Sequence, residues 1–219
     1  PGVYTVTVLD VFNGCEHQAT FTVAQDTVSP IAEAGPPNTL NCEITEINLD
    51  GSSSSSGQDY LYQWSTGNGS ILSGDATTQP LVDDPGTYEL LVTNTENGCT
   101  STDQVLIDED ITPPTVDAGQ EVILTCAIMD LNLQASASGS GPLTYSWSTQ
   151  DGNILSGAGG LTPNVNEPGT YYLFVLNEEN RCENMDSVIV DQDIAPPDIL
   201  IDVLGGSQLD CDTEQLNLD

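Results

Sequence analysis

Positive charge is almost absent from this chain. Its 219 residues hold a single Lys or Arg, Arg181, against 34 Asp and Glu, for a formal net charge of −33. A nucleic-acid partner needs a basic surface to displace counterions, so that class is excluded. Direct adhesion to an anionic membrane is disfavoured on the same ground. Surface ion pairs cannot be general, and the carboxylates must be screened by salt or by bound cations. Solubility in salty surroundings and specific cation binding both account for such an excess. Long apolar runs are missing too, and no stretch nears the ~20 residues that insert across a bilayer. Histidine occurs once and no CxxC is present, which makes zinc a poor reading of the cysteines. No initiator Met or signal peptide opens the chain, so an export signal is expected outside these residues.

What the chain does have is repetition. PGVYTVTVLDVFNGC at Pro1, PGTYELLVTNTENGC at Pro85 and PGTYYLFVLNEENRC at Pro168 are copies, at steps of 84 and 83 residues. Two full modules follow, 31–114 and 115–197. The flanking segments are partial: 1–30 carries the last strands of a module and 198–219 the first. The 219 residues are expected to be a window on a longer array. A rarer arrangement has the two partial ends complete each other between chains. Copying a module copies a scaffold, whereas an active site is a single constellation, so an enzyme is not expected.

The six cysteines form two series, Cys15, Cys99, Cys182 and Cys42, Cys126, Cys211. Each module owns one early and one late cysteine. The expected bonds are Cys42–Cys99 and Cys126–Cys182, with Cys15 and Cys211 left for partners beyond the chain ends. Disulfides imply an oxidising compartment. Closing a loop of about 57 residues contributes at most about 4 kcal/mol to a small module.

Short apolar-alternating runs separated by turn residues predict strands throughout and no helix. Ile47 and Leu49 share one face, as do Met129, Leu131 and Leu133. Tyr60, Tyr62 and Trp64 form a core face, repeated as Leu143, Tyr145 and Trp147, with the tryptophan expected nearest the disulfide. Asn68-Gly69 and Asp151-Gly152 suit a hairpin turn that needs positive φ. Tyr88, Leu90 and Val92 point inward, matched by Tyr171, Leu173 and Val175. The fold class is all-β: tandem two-sheet β-sandwiches of about seven strands each, which the resemblance below identifies as immunoglobulin-like.

The order of an early Cys, LxLDGS, YxWST, PGTYxLxVTNxxNGC and a closing strand resembles the immunoglobulin-like or PKD-like repeats of giant bacterial surface proteins, common in Bacteroidota adhesins. The resemblance covers both full copies and both partial ones. WSTGNG and WSTQDG stand where PKD domains proper carry WDFGDG, so "immunoglobulin-like, PKD-related" is the closer description. It implies a secreted or surface-anchored stalk, adhesin or filament subunit. The tyrosine that follows each PG turn resembles a tyrosine corner.

Candidate sites cluster at the junctions QDTVSP, DEDITPP and DQDIAPP. Asp26, Asp110 and Asp193 are equivalent, Asp108 and Asp191 add i, i+2 partners, and Glu33 and Asp117 follow from the next module. This set is the candidate Ca2+ site, by likeness to the acidic Asp–Pro linkers of cadherin-type repeats. A solvated hinge stiffened by proline alone is the other reading. Thr27 and Ser187 sit in Asp-Ser/Thr-aliphatic motifs for O-glycans, and Asn68 heads an Asn-Gly-Ser sequon. His17 has no imidazole counterpart in the copies, and Asp83-Asp84 reads as a solvated turn. Tyr172, Phe174 and Leu176 form an outward apolar stripe, a candidate interface.

The function expected is structural: a segment of an extracellular, cell-surface fibre or stalk, associating with itself or continuing as a longer array. The alternative is an adhesin module whose loops bind glycans or a partner protein. Nucleic acid and membrane insertion are not expected.

Overall fold

The computed structural model describes residues 1–199, 203–204 and 217–218. The expected partial repeat 198–219 therefore lies mostly outside the described residues, as does Cys211. Two compact units divide the chain: Pro1–Pro113 together with Asn177–Cys182, and Pro114–Leu176 together with Glu183–Asp219.

The first unit opens on a hairpin, β1 (Gly2–Leu9) with β2 (Glu16–Val23). Tyr4, Val6 and Val8, the counterparts of the core residues Tyr88, Leu90 and Val92, stand exposed on it. Seven strands then build the first sandwich: β3 (Asn38–Asn41), β4 (Ile47–Asn48), β5 (Tyr60–Thr66), β6 (Ile71–Ser73), β7 (Leu81–Val82), β8 (Gly86–Asn94) and β9 (Thr100–Asp110). One sheet has the order β3-β9-β8-β5 and the other β4-β7-β6. Within the larger sheet β3 runs parallel to β9, placing Asn38 beside Ile107 and Asn41 beside Asp110.

The second unit repeats this plan with β10 (Thr115–Asp117), β11 (Val122–Thr125), β12 (Leu131–Asn132), β13 (Ser136–Ser138), β14 (Leu143–Thr149), β15 (Ile154–Ser156), β16 (Asn164–Val165), β17 (Gly169–Asn177) and β18 (Glu183–Asp193). Its sheets are β11-β18-β17-β14 and β12-β16-β15, with β10 paired to β13. Beyond them β19 (Val203–Leu204) pairs with β20 (Asn217–Leu218). Two packed sheets with alternating inward residues make each unit an immunoglobulin-like sandwich, and no helix is present among the described residues.

Alternation along the strands sets each core. Tyr88, Leu90 and Val92 on β8 are fully buried, as are Tyr171, Leu173 and Val175 on β17. Trp64 and Trp147 close the other side, and each indole N–H donates to a loop carbonyl, of Thr77 at 2.9 Å and of Gly160 at 2.8 Å. Met129 departs from expectation: it lies ahead of β12 and stays exposed, while Leu133 is buried.

The tyrosine corner is present in both units. The Tyr88 hydroxyl donates to the Asp84 carbonyl at 2.6 Å and accepts from the Ser70 N–H at 3.1 Å. Tyr171 donates to Glu167 at 2.7 Å and accepts from Asn153 at 2.9 Å. Burial pushes both phenols above their ordinary 10.0, and nearby carboxylates add to the rise. This contact also corrects the reading of the Asn-Gly turn. Neither Gly69 nor Gly152 has positive φ. A Cβ on Gly69 would lie 2.5 Å from the Tyr88 hydroxyl, and one on Gly152 would collide with the Tyr171 hydroxyl. Glycine is needed there for close approach, not for a left-handed backbone.

Candidate functional site

Three copies of one turn carry the late cysteines. In each, residue 1 of the motif (Asp10, Asn94 or Asn177) donates its N–H to the cysteine carbonyl, at 2.8, 2.9 and 2.9 Å. An asparagine two residues before the cysteine (Asn13, Asn97 or Asn180) accepts the cysteine N–H through Oδ1, at 2.9, 2.9 and 3.0 Å. The intervening residue takes a left-handed backbone in every copy. It is glycine in two, Gly14 at φ 73° and Gly98 at φ 74°, and Arg181 at φ 59° in the third. A non-glycine residue there costs roughly 1 kcal/mol.

The turn Asn177–Cys182 belongs to the first unit, and its contacts there explain why. Cys182 is bonded to Cys42, just past the end of β3, with a Cα–Cα distance of 5.0 Å. Cys42 donates its N–H to the Asn180 carbonyl at 3.1 Å. The Asn180 side chain, almost fully buried, donates to Asp110 Oδ1 at 3.0 Å and to the Thr112 carbonyl at 2.9 Å. Arg181 reaches Glu43 at 2.8 Å and Glu178 at 2.6 Å. The hydrogen bond to Glu43 is the main reason its guanidinium is held above its ordinary range. Both pairs are partly exposed, so solvent and salt screen them. A groove of about 520 Å³ beside the bond is lined by Thr39, Asn41, Asp108, Glu109, Glu179 and Asn180, among others.

The expected pairing within a module is thus corrected. The bond joins Cys42 to Cys182, while Cys99 and Cys126 are free thiols. Strand register supplies the reason. Cys42 follows Asn41, level with Asp110 at the far end of β9, whereas Cys99 immediately precedes Thr100 at its near end. Eleven residues of strand separate the two ends by roughly 33 Å, and a disulfide needs Cα atoms within about 7 Å. Cys126 and Cys182 are kept apart in the same way along β18, with Thr125 level with Asp193. The tryptophans accordingly pack in apolar cores that hold no disulfide.

The junction aspartates act locally. Asp26, Asp110 and Asp193 each accept the N–H two residues on, from Val28 at 3.0 Å, Thr112 at 3.1 Å and Ala195 at 3.3 Å. Asp117 does the same for Gly119 at 2.9 Å. Asp108 and Asp191 are exposed on β9 and β18, and Glu33 is held through its backbone by Ser54 at 2.9 Å. Among the described residues no three or more His, Cys, Asp or Glu side chains gather as a metal site. Of the glycan candidates, Thr27 and Ser187 are exposed, and Asn68 accepts the Thr87 N–H at 3.0 Å. Asp186, beside Ser187, ties the Ala118 N–H at 2.8 Å, as Asp103 ties Ala34 at 2.8 Å, so its recurrence has a structural cause. Tyr172, Phe174 and Leu176 face outward on β17, with Phe174 opposite Met185.

The residues missed from sequence are Asn180, Arg181 and their counterparts. The signal was available: the only Lys or Arg of the chain stands where the other copies have glycine, beside a cysteine.

No family model matches the chain, and no curated protein matches it. Among solved structures it is similar to immunoglobulin domains 1–4 of Sidekick-1, at 16% identity over 88% of this chain and 58% of that one, TM-score 0.39. It is similar to the titin I-band fragment I67–I69, at 10% identity over 75% of this chain and 66% of that one, TM-score 0.43. A third is the insect immune protein hemolin, at 9% identity over 87% of this chain and 56% of that one, TM-score 0.38. The chain spans less than two thirds of each.

Proposed function

We propose that this chain is a load-bearing segment of an extracellular fibre or stalk, in which immunoglobulin-like repeats are tied to one another covalently. The observation that carries this reading is the Cys42–Cys182 bond, which spans 140 residues. Tension applied at the two ends enters at Cys42 and leaves at Cys182. The strands from β4 to β17 then lie outside the load path, and both tryptophan-bearing cores are shielded from it. Oxidising surroundings, which such a bond needs, and a surface too acidic for nucleic acid support an extracellular setting. Like-charged surfaces also keep neighbouring fibres apart.

Force–extension measurement on the chain held at its termini tests the load path. With the bond intact, the 140-residue stretch contributes no extension. A thiol reductant should release about 480 Å of hidden contour. Equal extension before and after reduction overturns the proposal.

A further inference from the structure

The bond at Cys42 has an unfilled twin at Cys126. We infer that Cys126 is the open half of a second link of the same kind, closed by the Asn-Gly-Cys turn of a further copy of the repeat; this rests on the reading of the chain as a covalently tied array. The receiving geometry is already built. Thr125 is level with Asp193 on β18 as Asn41 is level with Asp110 on β9. Asp193 turns its carboxylate to the Ala195 N–H, as Asp110 does to Thr112. The Cys126 thiol is exposed, 3.8 Å from the Ile194 carbonyl.

The complementary half is visible at the other end of the register. The turn of Cys99 docks as the turn of Cys182 does: Asn97 donates to the Val28 carbonyl at 3.0 Å, and Val28 is the counterpart of Thr112. Its thiol is free. Two features thus repeat independently of the bond, a receiving strand end and a docking turn.

Charge selects the kind of turn. The filled link matches Arg181 to Glu43. At the open one Ala127 stands in place of Glu43, so an arginine there would have no such partner. The turns of Cys15 and Cys99 carry glycine at that position, relaxed at positive φ. An Asn-Gly-Cys turn is therefore the fitting occupant.

Closing the link breaks two S–H bonds and forms one S–S bond. The two electrons and two protons pass to a small-molecule disulfide oxidant, which leaves as two thiols.

The test uses the full chain in glutathione redox buffer, with a Cys99→Ser background so that Cys15 supplies the one Asn-Gly-Cys thiol, on a second molecule. Peptide mapping without reduction should find Cys126 joined to Cys15 between molecules. Cys126→Ser should abolish that dimer, and Asn13→Ala should slow its formation several-fold while leaving both thiols in place. Absence of dimer, Cys126 joined to Cys126 or Cys211, or formation as fast with Asn13→Ala overturns the inference. The same map reads Cys42–Cys182 separately. Its absence overturns the proposed load path, whereas its presence with Cys126 wrongly paired overturns this inference alone.

Discussion

The sandwich cores and the cysteine turn solve the problem of holding chain segments together in different ways. Each core is complete within one module: Tyr88, Leu90, Val92 and Trp64 in the first, Tyr171, Leu173, Val175 and Trp147 in the second, all buried and apolar except where a polar tip finds a carbonyl. The bond at Cys42 is incomplete within any one module, because its other half is a turn from the next copy. Burial is short-ranged and additive over area, so a module that folds carries its own core wherever it is copied. A covalent link has no such redundancy, and it depends on strand ends meeting a turn one period away. Fold is thus encoded module by module, and linkage is encoded across the period.

Breaking the link should have the larger effect on stability. In the chain-entropy model a loop of this length contributes up to about 5 kcal/mol, so Cys182→Ser should lower the denaturant midpoint more than any single core truncation. Leu90→Ala and Leu173→Ala should each cost about 3 kcal/mol, and by similar amounts, since both side chains are fully buried. Unequal losses would show that the two cores are not equivalent.

The tyrosine corner comes next. Tyr88→Phe leaves the Asp84 carbonyl and the Ser70 N–H without their partner, for about 1–2 kcal/mol by thermal or denaturant melting. The raised phenol also fixes a sign. The folded state holds the Tyr88 proton more tightly than the unfolded chain, so its contribution is full below pH 10 and is lost as pH rises through 10.0 towards the folded value. Tyr88→Phe and Tyr171→Phe together should flatten that alkaline decline. The smallest expected effect is at Arg181. Arg181→Gly relieves roughly 1 kcal/mol of left-handed strain and removes exposed, screened pairs that offset it in part at low salt. Stability should change little at low salt and rise in high salt, where the lost pairs count least.

The all-β class was legible because alternation of apolar and polar residues is a local property. The inward sets on β8 and β17 and the tryptophan faces follow from it, while the tyrosine corner was legible through the resemblance of the PG-x-Tyr motif. The Asn-Gly pair marks a chain bend but not a hairpin, because β5 and β6 belong to different sheets; glycine serves both positive φ and close approach, and the sequence does not distinguish them. Ser54, in the serine-rich stretch after Gly51, is buried and bonds both backbone groups of Glu33, a role that composition does not reveal. At the candidate site the sequence singles out the cysteines and the junction aspartates, while the pairing of the cysteines differs from the one expected. Asp110 serves the backbone and Asn180.

Composition and period by themselves determined the strands, the inward residues, the repeat and the acidic surface, because each depends on neighbours within a few residues or on simple counting. The partner of Cys42 was decided only in three dimensions. Parallel pairing of β3 with β9 carries Cys42 to the end of the strand farthest from Cys99, and the next module's turn meets it there. The arithmetic of two cysteines per module is the same for either pairing, and strand register alone selects between them.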